Sequence, residues 1–229
     1  MKLTDSAKQD VLMLGFSGLA DGSMSKGVDD EERRRNRERF LKEQGISLKQ
    51  SILVHLQYEG NDYCRYYTVG SPQAGDGMVT SPSLVADALF TRDHKLALFL
   101  PVADCIGAVL YDPKNQVIGL AHLGRHNLVQ TGAGKVITYM QQEFGTNPAA
   151  VRIWFSPAAG RESYPLYDFN NRSLQEVALQ QMLDAGVMND NLEIDGRDTA
   201  TDLTLFSHSQ FLKGNRPSDG RQAVVVMMK

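Results

Sequence analysis

The sequence predicts a single layered α/β (α+β) domain in which mixed, largely antiparallel buried sheets are flanked by helices. Three observations carry that expectation. Apolar runs of strand length at 96–102, 106–111 and 117–122 follow closely on one another, and runs without polar alternation read as strands buried on both faces. Stretches of helical spacing or helix-forming composition, at 29–43, 127–144 and after Ser173, are interspersed among strand candidates. Their order is irregular, with no internal repeat and no linker across 229 residues, a length that suits one sizeable core.

Taken along the chain, residues 11–17 read as a first strand, and the Gly- and Ser-rich stretch 18–27 as a loop. Residues 29–43 form a charged helix with acidic residues at its start, favoured by the helix dipole, and Gly45 as its stop. Its Arg33, Arg34 and Arg35 are balanced by acidic neighbours at 29–32, so a solvated face is expected there. Residues 51–56 and 63–69 are β-rich and flank a Gly-Asn-Asp turn at 60–62, which predicts a hairpin. The tetrapeptide Asp112-Pro113-Lys114-Asn115 is a turn signal joining the second and third apolar runs into an antiparallel hairpin. A helix over 127–144, a strand over 151–155 and a helix opened by the Ser173–Glu176 capping box and closed near Gly186 come next. Residues 203–206 and 223–228 are the last strand candidates.

Composition narrows the functional classes. Hydrophobic residues are 42% and charged residues 22% of the chain, as in ordinary globular proteins. A formal charge of −3 without a basic half or an acidic tail argues against nucleic acid or an anionic membrane as partner. The apolar run at 11–16 is too short for a secretory leader, and no stretch reaches spanning length. Only Cys64 and Cys105 are present, too few for a disulfide framework, so both are expected to be reduced thiols of a cytoplasmic protein, monomeric or homodimeric.

The residues that bear chemistry gather around the predicted hairpin of 106–122. Cys105 follows Asp104 at the break between two buried strands. A free cysteine packs readily as a small hydrophobe, but an adjoining carboxylate is rarely buried without a partner. His122 ends the next strand, so the hairpin register brings it to the same sheet edge as Cys105. His126 either joins that site or caps the helix after it. His94 reads as an exposed turn residue, and His208 has no motif partner.

Ala86-Asp87-Ala88-Leu89 with Thr91, Leu96-Ala97-Leu98, Ala103-Asp104-Cys105, Leu110-Tyr111-Asp112-Pro113 and Gly119-Leu120-Ala121-His122 with Gly124 together resemble the central signature of the laccase-domain family. That family is also called multicopper polyphenol oxidoreductases or purine nucleoside phosphorylases. Gly15-Phe16-Ser17, Asn36-Arg37, the stretch from Ser156-Pro157 to Tyr164, Phe206-Ser207 and Gly220-Arg221 echo further family segments, so the likeness spans nearly the whole chain.

The resemblance implies the layered fold of cytotoxic-necrotising-factor-like cysteine hydrolases. It also implies a zinc-binding catalytic cluster of His55, Cys105 and His122, with purine nucleosides and phosphate as substrates. Two imidazoles and a thiolate fill three positions of tetrahedral zinc, leaving a fourth for water or substrate. The implied reactions are phosphorolysis of adenosine, inosine or methylthioadenosine and deamination of adenosine. Copper is the second metal such donors accept, although five histidines are too few for a multicopper oxidase.

The chain departs from the family around these positions. The early arginine of the family is absent from Ser17-Gly18-Leu19-Ala20-Asp21-Gly22, and the late paired arginines are replaced by His208-Ser209. Arg125 and Arg221 are the remaining candidates for substrate binding, as anion contacts. Besides the nucleoside enzyme, two readings follow: a non-catalytic homologue that keeps metal or metabolite binding, and a metal-free hydrolase with Cys105 as nucleophile and His122 as base.

Overall fold

The computed structural model describes residues 3–4, 11–25 and 30–229. Among the described residues two sheets form, ordered β1-β10-β5-β2 and β3-β4-β7-β6-β8-β9. Their strands are β1 Leu12–Phe16, β2 Ser51–Leu53, β3 Tyr66–Thr68, β4 Ala88–Thr91, β5 Ala97–Val102, β6 Ile106–Asp112, β7 Val117–Leu123, β8 Arg152–Phe155, β9 Leu192–Ile194 and β10 Gln222–Met228. The β2–β5, β3–β4 and β8–β9 pairs are parallel and the rest antiparallel.

The side-chain period of two sorts each central strand between layers. In β6, Val109 and Tyr111 point into the space between the sheets, where they meet Leu98, Leu100, Val224 and Val226 of the other sheet. Ile106, Ala108 and Leu110 point the opposite way, onto helices α2 (Arg125–Val129), α3 (Gly132–Phe144) and α4 (Leu174–Asp184). The far face of the four-stranded sheet, including Phe99 and Val225, is covered by Phe40 and Leu41 of α1 (Glu31–Glu43). The result is a helix–sheet–sheet–helix stack, the predicted layered class, and no helix among the described residues is long and apolar enough to cross a membrane.

Local signals behave as expected where the partner is near in sequence. Asp30 caps α1 by accepting from Arg33 N–H at 3.1 Å, while the predicted helix start at Asp29 lies outside the described residues. The arginine cluster is largely solvated, with Arg33 paired to Asp30 and Arg35 to Glu31. Ser173 and Glu176 form the capping box of α4, and Gly186 sits at φ +93° just past its end. The β6–β7 hairpin turns at 113–116, held by the Asp112 carboxylate accepting from Lys114 and Asn115 N–H.

Three expectations fail. The predicted hairpin of 51–56 with 63–69 does not form, because Ile52 and Leu53 pair parallel with β5 in one sheet while Tyr66 and Thr68 pair parallel with β4 in the other. Residues 203–206 make a turn on the Asp202 carboxylate, which accepts from Thr204, and leave Leu203 exposed. The helix over 127–144 is broken at Thr131, whose left-handed φ of +61° separates α2 from α3. Strands β4 and β9 and the short helix α5 (His208–Leu212) were not foreseen from sequence pattern.

Candidate active site

The corner that carries Cys105 is where the chain passes from one sheet to the other, between the end of β5 and the start of β6. Asp104 makes the turn with a left-handed φ of +70°, a conformation costly for a side chain other than glycine and kept when neighbours over-determine it. Here they do. The carboxylate is buried and accepts from Thr199 Oγ1 at 2.8 Å, Ser207 Oγ at 2.7 Å and Ser209 N–H at 2.6 Å. Asp104 thereby ties the segment before α5 to the corner beside Cys105.

His122 approaches from the paired strand. Gly107 stands opposite His122 in the β6–β7 ladder. The His122 N–H donates to Asp87 C=O at 2.8 Å, and its own carbonyl accepts from Asn127 Nδ2 at 3.0 Å. Asp87 is in turn gripped by Arg65, with Nε at 2.7 Å and Nη2 at 3.1 Å from its two carboxylate oxygens. The close approach of the two reactive side chains is fixed by Gly124. A Cβ there would lie 2.9 Å from Cys105 Sγ, 2.9 Å from His122 Cε1 and 3.2 Å from His122 Nε2, so sulfur and ring nitrogen crowd one point that only a glycine leaves open.

Both groups are electrically neutral near pH 7. Burial pushes the Cys105 thiol up to about 12, with Asp104 adding to the rise and Arg221 opposing it. Burial lowers His122 to about 4, with Asp87 opposing and His126 adding to the fall. A thiolate–imidazolium pair needs the opposite shifts, so burial disfavours the metal-free hydrolase reading.

Cys105 and His122 lie in the wall of a pocket of about 660 Å³, together with Asp87, Arg125 and Tyr164. Tyr58, Tyr63 and His126 add an aromatic edge, in which the Tyr63 and His126 rings stack at 4.9 Å and 26° while Tyr58 meets His122 edge-on at 6.2–6.3 Å from both histidines. His126 thus borders the pocket rather than capping α2, which has Gly124 at its N-cap. In the same lining, Arg221 Nη1 and His208 Nδ1 share Asp219 Oδ1 at 2.7 and 3.1 Å. Buried Arg37 fixes the neighbouring strap by donating to the Met24 and Ser25 carbonyls, and Ser25 borders the pocket.

Of the sequence-predicted site residues, Cys105, His122, Arg125 and Arg221 border one pocket. His55 does not. It follows β2 by two residues, half-buried, with its carbonyl accepting from Ala86 N–H at 2.9 Å. Among the described residues no three His, Cys, Asp or Glu side chains stand in a grouping able to hold a metal ion. As arranged, Cys105 and His122 converge, while His55, whose neighbours Val54 and Leu56 border the same pocket, stands in no three-residue grouping with them able to hold a metal ion. His94 is exposed and contacts the Lys229 carbonyl, away from the pocket. Tyr58, Tyr63, Tyr164 and Asp219 were not foreseen; they sit outside strands and helices, where no periodicity marks a side chain's direction.

Residues 16–172 match the family described as multi-copper polyphenol oxidoreductase laccase. A protein of Corynebacterium glutamicum named purine nucleoside phosphorylase is 30% identical over 162 residues, 62% of this chain and 63% of that protein. One of Bacteroides thetaiotaomicron with the same name is 23% identical over 163 residues, 67% of this chain and 59% of that protein. The chain thus spans about 60% of the length of the curated relatives it matches. Among solved structures, the hypothetical protein YfiH of Bacillus licheniformis superposes with a TM-score of 0.84 at 21% identity, covering 98% of this chain and 95% of that one. YlmD of Geobacillus stearothermophilus gives 0.79 at 21% identity, covering 95% and 90%. At that identity the likeness establishes the shared fold.

Proposed function

This chain belongs to the multi-copper polyphenol oxidoreductase laccase family, and we propose that it is a purine nucleoside enzyme that cleaves the bond between base and ribose with phosphate. The observation that carries the reading is the meeting of Cys105 and His122 around Gly124 in the wall of a pocket of about 660 Å³, within the range of small-molecule sites. Relatives named purine nucleoside phosphorylase supply the substrate class.

In phosphorolysis a phosphate oxygen bonds to C1′ of the ribose as the glycosidic bond breaks, and the base departs with the electron pair and takes up a proton. The pocket offers what each part of that change requires. Tyr63 and His126, already stacked on each other, present an aromatic edge on which a flat base packs. Arg125 and Arg221 border the same space and suit phosphate. His122, held neutral by burial, has a ring nitrogen able to accept a proton, and the un-ionised Cys105 thiol can give one. Deamination of adenosine requires an activated water instead, and the cationic rim favours phosphorolysis over it.

None of these roles is routed through the zinc implied for His55, Cys105 and His122. Elemental analysis of protein purified without chelator tests it: roughly one zinc per chain supports a three-donor site with His55 recruited, and absence of zinc leaves the Cys105–His122 pair alone. The function itself is tested by incubating the protein with adenosine, inosine or methylthioadenosine and phosphate and following free base, ribose 1-phosphate and ammonia. Base and sugar phosphate without ammonia support the reading, and no product from any substrate refutes it.

A further inference from the structure

We propose that His208 and Arg221, bridged by Asp219, form an anion site at the pocket rim that takes a phosphate group by exchanging it for the Asp219 carboxylate. The proposal rests on the nucleoside reading for the site's purpose, but its geometry stands independently. Two side chains converge on a single oxygen, Asp219 Oδ1: Arg221 Nη1 at 2.7 Å and His208 Nδ1 at 3.1 Å. An oxygen of a phosphate placed there meets the same two donors.

The donors are set on fixed backbone, as an anion site requires. Arg221 N–H donates to Ser23 Oγ at 3.2 Å and its carbonyl accepts from Met24 N–H at 2.8 Å, immediately before β10 begins. Gly220 lies flush on the Phe206 ring, where a Cβ would come within 2.3 Å of a ring carbon. His208 is the first residue of α5, capped by Ser207, whose hydroxyl also donates to Asp104. The cluster is therefore tied to the corner that carries Cys105, and His208, Asp219 and Arg221 line the same pocket as Cys105.

The carboxylate is suited to leave. The side chains of His208, Asp219 and Arg221 keep 42%, 34% and 27% of their exposure, and ion pairs so open to water are individually weak. Arg221 uses only Nη1 for its side-chain hydrogen bonds among the described residues, so Nε and Nη2 remain to complete a forked contact with a second phosphate oxygen. Asp219 then acts as a stand-in anion that keeps the donors aimed at one point while phosphate is absent.

Calorimetric titration with inorganic phosphate, and separately with ribose 5-phosphate, tests the proposal on the full chain and on Asp219→Asn and His208→Gln. Removal of the competing carboxylate in Asp219→Asn is expected to tighten binding by roughly 3-fold, and loss of the imidazole donor in His208→Gln to weaken it by roughly 3-fold, both in the range of half-exposed ion pairs. The ligand showing these opposite responses identifies whether free phosphate or a phosphate monoester is the occupant. Unchanged affinity in both variants for both ligands, or weaker binding in Asp219→Asn, overturns the site. Nucleoside turnover with an unaltered phosphate KM in both variants would also reject it while leaving the enzyme reading intact. Opposite binding responses without turnover keep the site and reject that reading.

Discussion

At the floor of the pocket, Cys105 and His122 stand on strands joined by a continuous ladder, with Gly107 opposite His122. At its rim, His208, Asp219 and Arg221 come from a five-residue helix and a loop, held together by two half-exposed contacts. His122 is buried and Cys105 half-buried, and their positions are set by the strand ladder together with the buried Asp104 network. The rim is wet and charged, and single side chains set its properties. A changed donor at the rim therefore alters anion binding without disturbing a strand.

The sharpest way to break the comparison is Cys105→Ala, which should lower kcat/KM for the nucleoside by roughly 10²–10⁴-fold, the range for removing a group that handles a proton, with an unchanged circular dichroism spectrum. Near-normal turnover would move the chemistry away from the floor. Asp104→Ala comes next. It deprives the hydroxyls of Thr199 and Ser207 and the N–H of Ser209 of their acceptor and leaves a Cβ at positive φ, at a cost of about 4 kcal/mol for a broken buried network. Urea unfolding measures it, and a loss below about 1 kcal/mol would show the corner to be held by other means.

Protonation supplies a third test. His122 is lowered from 6.5 to about 4 in the fold, so between those values the unfolded chain binds the extra proton and stability falls as the solution is acidified. The span corresponds to on the order of 3 kcal/mol. Metal-free His122→Asn protein should lose that much less between pH 6.5 and 4 than the parent, and parallel pH profiles would place His122 in a wetter setting. Gly124→Ala, which drives a methyl to 2.9 Å from Cys105 Sγ and His122 Cε1, should cost about 2 kcal/mol as overpacking and slow turnover. The smallest effect belongs to the rim: Tyr63→Ala should alter stability by no more than about 1 kcal/mol yet raise KM for the nucleoside.

Much of the floor is legible in the amino-acid sequence alone, because its signals are local. The apolar runs of β5, β6 and β7 and the turn at Asp112 determine a hairpin whose register brings His122 beside the start of β6. The failed hairpin of 51–69 shows the limit. Its two strands have β-rich composition, but each gains more by joining a different sheet, Ile52 beside Leu98 and Tyr66 beside Ala88, and composition says nothing about such distant partners. His55 lies two residues past β2, where no strand register sets the direction of its ring. Asp219, Tyr58 and Tyr63 were invisible for a related reason, since loop side chains take their direction from tertiary contacts alone.

The central claim is that the Cys105–His122 floor is where a purine nucleoside reacts with phosphate. The most direct measurement compares the parent protein and Cys105→Ala for release of free base and ribose 1-phosphate from adenosine, inosine and methylthioadenosine. The account predicts both products from the parent with at least one nucleoside and loss of both in the variant. Equal release by the two proteins, or none from the parent with or without added zinc, would contradict it.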